Sequence, residues 1–458
     1  MVFVVTQLNV VPHKRLWVLV DSETSLPLLF PLRFLVDRLS LRSASTQATT
    51  LQALKFFYEF WFNKHGVTFC FSFYQSGHNP LIAIEELEAF SHYLECRKPS
   101  VPVLRIANHQ KPDAQSCTNA KHVHAVIRFI TYMINTYISP RYMDESPKEL
   151  SRLSSRLTNR VSMLRDEFQI GKIKKYHKQF RSLTTEMVRV LYEVIRPSSR
   201  SRANPLNPFP IGEIQFRNYL ICRLLLNYGL RVSELLLLEI NSIKTNIKGD
   251  QFSIIISSVE DDVRDPRKRL PTLKNTWASR VLALEPYDYQ HLIIYINKIR
   301  CRVTHDFLFV STRNNNSPLS YHSVYGLFAK IDKVIENEFP KYKKIEYFDS
   351  VDNITPHVAR HTWAYLSLQK IYSDKYHKIK QDSQISGFDL SIAGLMGEAK
   401  DELRILGGWS HDSNMPDLYA RRFLSERANI ANINRIITDT SDDNLFDITA
   451  KAFTEIDT

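Results

Sequence analysis

Residues 355–366 read TPHVARHTWAYL, and the interpretation of the chain turns on this stretch. Thr355 is of the type that caps a helix start, and Pro356 suits a first helical turn. A helix is therefore expected to begin at His357. Residues three apart share a helix face, so His357 and Arg360 point the same way. On a first turn, free backbone N–H groups and the helix dipole favour an anion. Taken alone, the pattern more often describes a helix-end histidine beside a surface arginine. Whether His357, Arg360 and His361 form one wall of a phosphate site depends on what the rest of the chain supplies.

Three further stretches supply candidates. YGLRVSELLLLEI (228–240) puts Arg231 directly before an apolar helix, with Glu234 three residues on. A carboxylate so placed can hold the arginine rigid and leave its planar fork for two parallel bonds to a phosphate. LKNTWASRVLAL (273–284) puts Lys274 in a polar loop just before a strand. LGGWSHDSNMPDLYARRF (406–423) sets Trp409, His411 and Tyr419 around a helix stop and restart, with Pro416 in the new first turn.

In this order, GLRVSEL, a lysine between two expected strands, HVARHTWA, LGGWS and LYARRF resemble the motifs of the tyrosine recombinases of phage-integrase type. The resemblance covers about residues 175–430, and the helical region at 41–140 looks like the family's core-binding domain. It implies that Arg231 and Arg360 neutralise charge growing on a scissile phosphate and that Tyr419 is the nucleophile. A phenol with a pKa near 10 needs local activation for that task. Attack would give a 3′-phosphotyrosyl link and a free 5′-hydroxyl, conserving the bond energy without ATP. His357 suits proton exchange with the tyrosine. Lys274 would protonate the leaving 5′-oxygen, and Trp409 would pack or donate one hydrogen bond. Glu234, His361 and His411 are supporting candidates.

The chain also departs from the family pattern. Tyr419 lies ten residues after Trp409, one more than the family usual, so His411 competes with Trp409. Lys268 and Arg269 compete with Lys274. Between Arg360 and Trp409 a surplus at roughly 370–395 reads as an insertion, either a surface loop or a contact to DNA or a second subunit. Tyr321 and Tyr325 fall in a helix with core spacing and are not candidate nucleophiles.

Composition agrees with a polyanion partner. The 458 residues carry 60 Lys+Arg against 48 Asp+Glu, a net charge of +12, which favours nucleic acid before an anionic membrane. Only 12 glycines suggests a helix-rich chain. The five cysteines are scattered and never in a CxxC pair, which argues against zinc or a disulfide framework and for a reducing compartment. No apolar run reaches the ~18 residues of a membrane span, and the N-terminus lacks the order of a signal peptide. A cytoplasmic, nucleoid-associated, bacterial protein needing no metal and no cofactor is expected.

Five segments are expected. Residues 1–40 form an extended arm or cap, with WVLVD and LPLLF flanking a turn at SETS. Residues 41–140 form the helical core-binding domain. Its first helix is capped by Ser45 or Thr46 and stopped by Gly66, with Leu51, Leu54, Tyr58, Trp61 and Phe62 at helical spacing. A basic linker with GKIKKYHK spans 141–178, and a catalytic domain spans 179–436 with strands in QFSIIISSV and SRVLALEP. An acidic tail at 437–458 carries an apolar stripe (Leu445, Ile448, Ala452, Phe453, Ile456) that packs on its own domain or on a neighbouring subunit. The expected fold class is mainly α with a small β-sheet in an α+β catalytic domain, plus an all-α N-terminal domain. The resemblance implies a C-shaped clamp on duplex DNA. The expected function is a site-specific recombinase, an integrase or transposase of a mobile element. It would act on double-stranded DNA as a homotetramer, possibly with co-recombinases. The alternatives are a type IB topoisomerase, a catalytically silent DNA-binding accessory and a helical interaction scaffold.

Overall fold

Polar side chains cap the starts of several helices, and glycine ends two of them. The computed structural model describes residues 2–10, 14–96, 114–141, 146–167, 182–199, 202–258, 265–267, 269–300, 303–312, 316–344, 346–347, 349–386, 391 and 393–439. The chain divides into two compact units, residues 1–178 with 260–270 and residues 179–259 with 271–458.

The first unit opens with an antiparallel hairpin of β1 (Phe3–Val10) and β2 (Lys14–Asp21), with Phe3 opposite Asp21. The partner of the WVLVD strand is therefore FVVTQLNV. LPLLF is not extended throughout, because α1 (Leu29–Phe34) starts within it. Next comes α2 (Ala44–His65). Its cap is Ser43, whose hydroxyl accepts from the Thr46 N–H, so the helix starts just before the expected Ser45 or Thr46. Gly66 ends it at φ 73°, a left-handed conformation that glycine adopts without a Cβ penalty. The unit continues with α3 (Phe69–Gln75), α4 (Leu81–Glu85), α5 (Leu87–Cys96), α6 (Ala114–Arg141) and α7 (Pro147–Glu167). Leu51, Leu54, Tyr58 and Trp61 are buried with Phe3, Phe69, Phe73, Phe90 and Phe129, and Phe62 packs against them partly exposed. Edge-to-face pairs such as Phe57–Phe90 and Phe30–Phe73 lock these rings beyond simple area burial. Residues 260–270 join this unit, where Arg15 donates to the carbonyls of Asp265 (2.5 Å) and Arg267 (3.0 Å). The linker expected at 141–178 contains α7, and its GKIKKYHK stretch lies outside the described residues.

The second unit begins with α8 (Thr185–Ile195), α9 (Glu213–Asn227) and α10 (Val232–Leu237). A three-stranded antiparallel sheet follows in the order β3 (Ile243–Thr245), β4 (Phe252–Ile256), β5 (Arg280–Leu284), with Ile254 opposite Leu282. Then come α11 (Pro286–Ile294), α12 (Tyr321–Glu338), α13 (Pro356–Ser386), α14 (Leu395–Gly407) and α15 (Met415–Asp439). The chain is thus mainly helical with a small antiparallel sheet, as expected. One core runs from α8 through the sheet to α12 and the start of α13. A smaller one holds Trp363, Leu368, Leu403, Trp409 and Tyr419. Two details differ from expectation. Residues 370–386 continue α13 as helix, with Lys375 paired to Glu398 (3.1 Å) and Glu402 (2.7 Å) of α14. Tyr325 is exposed on α12, whereas Tyr321 packs against the core. The acidic stripe beyond Asp439 lies outside the described residues.

Candidate active site

The site is built on α10. Gly229, at φ 60°, turns the chain into that helix, and a Cβ there would lie 2.1 Å from the Trp363 ring. Only glycine permits both the backbone and the packing. Arg231 is the N-cap residue, and its backbone N–H donates to the Glu234 carboxylate at 2.9 Å. Glu234 has no solvent exposure and pairs with three guanidinium groups: Arg231, Arg280 at 3.0 Å and Arg360 at 3.8 Å. Burial pushes its carboxyl pKa up, but Arg280, Arg360 and Arg231 outweigh that and hold it below the usual range.

The same three arginines meet the end of α14. Arg280 donates to the Leu406 carbonyl at 2.8 Å, Arg360 to Gly407 at 2.5 Å and Arg231 to Gly408 at 3.0 Å. These are carbonyls at a helix C-terminus, where the dipole leaves partial negative charge and orphan acceptors. Gly408 ends the helix at φ 57°. Arg360 also donates to the Gly229 carbonyl, and its guanidinium lies 4.7 Å from the Trp409 ring centroid and 5.8 Å from Trp363. It is 5% exposed, and burial, then the Arg231 charge, lower its pKa to about 9, so it remains a cation at neutral pH.

α13 begins where the sequence indicated. Thr355 caps it, accepting from the Val358 N–H at 3.3 Å. His357 and His361, one helical turn apart, approach with ring centroids 4.1 Å apart. The side chain in contact with Tyr419 is His361, whose Nδ1 lies 2.7 Å from the phenol oxygen. Proton exchange had been expected of His357, which is exposed one turn away. Partial burial, then the His357 and Arg360 charges, lower the His361 pKa to about 4, so the ring is neutral at pH 7. His357 is lowered by partial desolvation first, then by Arg360, Lys274 and Arg231. Tyr419 is 1% exposed, and burial raises its pKa against the opposing pull of Arg360 and Arg231.

The structure therefore brings Arg231, Glu234, Arg360, His361, Trp409 and Tyr419 into one cluster, with His357 beside it. Lys274 is exposed in the loop before a short 3-10 turn (Thr276–Ala278), close enough for its charge to bear on His357. Of its rivals, Lys268 lies outside the described residues and Arg269 belongs to the first unit. Trp409 is buried between Arg360, Trp363 and Tyr419. His411 is exposed, with its ring edge-on to Trp277 at 4.4 Å. Sequence reasoning missed Arg280 and the three consecutive carbonyls. The available signal was an arginine at the first position of the apolar strand RVLAL, where a charge needs a partner.

Residues 201–375 match the model of the phage integrase family. Among solved structures, the chain is similar to the XerH site-specific recombinase bound to difH substrate (16% identity, 69% of this chain and 78% of that one, TM-score 0.34). It is also similar to the Tn1549 transposon integrase in complex with circular intermediate DNA (14% identity, 84% and 99%, TM-score 0.39). A third is the XerA recombinase (14% identity, 87% and 97%, TM-score 0.31). Among curated proteins none matches the chain. No helix among the described residues is long and apolar enough to cross a membrane.

Proposed function

Because residues 201–375 carry a phage integrase family domain, we propose that this protein is a DNA strand transferase of a mobile element. It breaks and rejoins duplex DNA at specific sites through a 3′-phosphotyrosyl intermediate. The observation that carries the reading is one cluster, drawn from α10, α13, the α14–α15 turn and α15, in which a buried tyrosine meets a neutral histidine beside two arginines. Arg231 and Arg360 neutralise the charge that grows on the scissile phosphate. Tyr419 Oη attacks phosphorus and passes its proton to His361, with His357 as the route to solvent. The P–O5′ bond breaks, and Lys274 gives its proton to the 5′-oxygen. Trp409 packs against the Arg360 guanidinium. The chemistry needs neither metal nor ATP, and four subunits act on a pair of sites, alone or with co-recombinases. The N-terminal helical region and the basic 141–178 segment serve DNA contact, and the protein acts at the bacterial nucleoid.

The test is covalent trapping on nicked DNA of the element's own ends. Wild type forms an adduct mapping to Tyr419 at a 3′-phosphate, and Tyr419→Phe forms none. Burial of Tyr419 to 1% exposure favours one rival, an accessory that binds DNA without cutting it. Tight, salt-dependent binding with no adduct from wild type would select that rival. Relaxation of a supercoiled circle lacking the element's ends would select a topoisomerase.

A further inference from the structure

Arg280 opens β5 with its side chain 7% exposed, and its fork joins three segments of the second unit. Nε donates to the Leu406 carbonyl at the end of α14 (2.8 Å). One terminal nitrogen donates to the Ala278 carbonyl in the 3-10 turn (2.8 Å), and the other to Glu234 (3.0 Å). A planar group with five N–H donors can hold three acceptors in fixed directions, which a lysine ammonium on a flexible stem cannot. Packing repeats the tie. A Cβ at Gly408 would lie 2.8 Å from the Arg280 guanidinium, 3.0 Å from the Ala278 Cα and 3.1 Å from the Trp277 carbonyl, so the α14 end sits directly on the 277–278 backbone. The Trp277–His411 ring contact joins the same two segments a second time. Lys274 stands three residues before Trp277 and is exposed. Where its ammonium points therefore follows from where this loop is held.

We propose that Arg280 is a positioning residue for Lys274, and this rests on the recombinase reading above. By fixing the 274–279 loop to the α14 end and to Glu234, it sets the lysine over the phosphate that Arg231 and Arg360 hold. In the step served, the Tyr419 Oη–P bond forms and the P–O5′ bond breaks. The Lys274 proton goes to O5′, and the tyrosine proton goes to His361. Arg280 touches none of the reacting atoms.

The test compares nicked end-sequence DNA carrying the ordinary bridging 5′-oxygen with the same DNA carrying a bridging 5′-sulfur. A thiol has a pKa of about 8.5 and departs as thiolate without a donated proton. Lys274→Ala removes the acid. Arg280→Lys keeps a charge opposite Glu234 and loses the fork. On the oxygen substrate both are expected to form adduct about a hundredfold more slowly than wild type, as lost acid catalysis or a displaced group would cause. On the sulfur substrate both return to near the wild-type rate, and Arg280→Lys, which keeps its charge, leaves the salt dependence of DNA binding unchanged. If Arg280→Lys does not fold, Trp277→Ala cuts the second tie at a half-exposed ring and is expected to show the same rescue with a smaller initial loss. Arg280→Lys as fast as wild type on oxygen, or slow on both substrates while Lys274→Ala is rescued, overturns the proposal and leaves the recombinase reading standing. No adduct from wild type on either substrate overturns both.

Discussion

Glu234 is one buried carboxylate among three guanidinium groups, which leaves the cluster with two uncompensated positive charges. That imbalance is unfavourable in the protein alone, and the proposed phosphate would relieve it. Removing the carboxylate leaves all three arginines short of a partner, so Glu234→Ala is expected to cost about 3–5 kcal/mol, read as a lower urea midpoint. His361 gives a pH signature. Its pKa is lowered to about 4 in the fold, against an ordinary 6.5 in the unfolded chain. Between these values the unfolded state binds the proton and the folded state does not. Stability is therefore full above about pH 6.5, falls as pH drops towards 4, and loses up to roughly 3 kcal/mol. His361→Asn should flatten that part of a stability–pH curve, leaving the smaller slope from His357, which is lowered in the same direction.

At the scale of elements, the proposed attack by Tyr419 depends on the α14 end and α15. In-line attack needs the phenol oxygen within about 3–3.5 Å of phosphorus, yet Tyr419 is sealed in a core with Trp363, Leu403 and Trp409. The proposed mechanism therefore requires α15 to shift to present it. Amide hydrogen exchange over 415–424 is therefore expected to quicken when end-sequence DNA binds, and unchanged protection in a complex that forms adduct would refute the shift. Behind Tyr419, Arg422 lies 4.2 Å from the Tyr365 ring centroid and pairs with Glu426, tying the rest of the helix to α13. The glycines on the other side are just as constrained. Gly229→Ala would need both a left-handed backbone and displacement of Trp363. It is expected to destabilise by more than the ~1 kcal/mol of the backbone term alone, seen as a lowered Tm.

For the whole molecule, the surplus of twelve positive charges makes ionic strength the test of the proposed DNA affinity. The logarithm of the binding constant should fall linearly with the logarithm of salt, with a slope of about −0.9 per phosphate contacted. Arg231→Ala should reduce the slope by about 1. An unchanged slope would remove Arg231 from the phosphate site.

The sequence determined what depends on neighbours along the chain. Thr355 and Pro356 start α13, Gly66 and Gly408 stop helices, and apolar periodicity marks the buried face of α2, because caps and periodicity are local. Arg231, Arg360 and Tyr419 were legible as a set because the motifs that hold them are short. Sequence spacing did not say which histidine meets Tyr419. His357 and His361 both lie on the same side of one helix, and only the packing of α15 against α13 selects His361. Arg280 was not legible either, because its acceptors at Ala278, Leu406 and Glu234 come from segments up to 126 residues away. The hairpin partner of β2 was missed because FVVTQLNV and KRLWVLVD show little strict alternation, and only pairing reveals their register. Tertiary structure decided these points because a hydrogen bond or ring contact depends on distance in space, which local pattern does not encode.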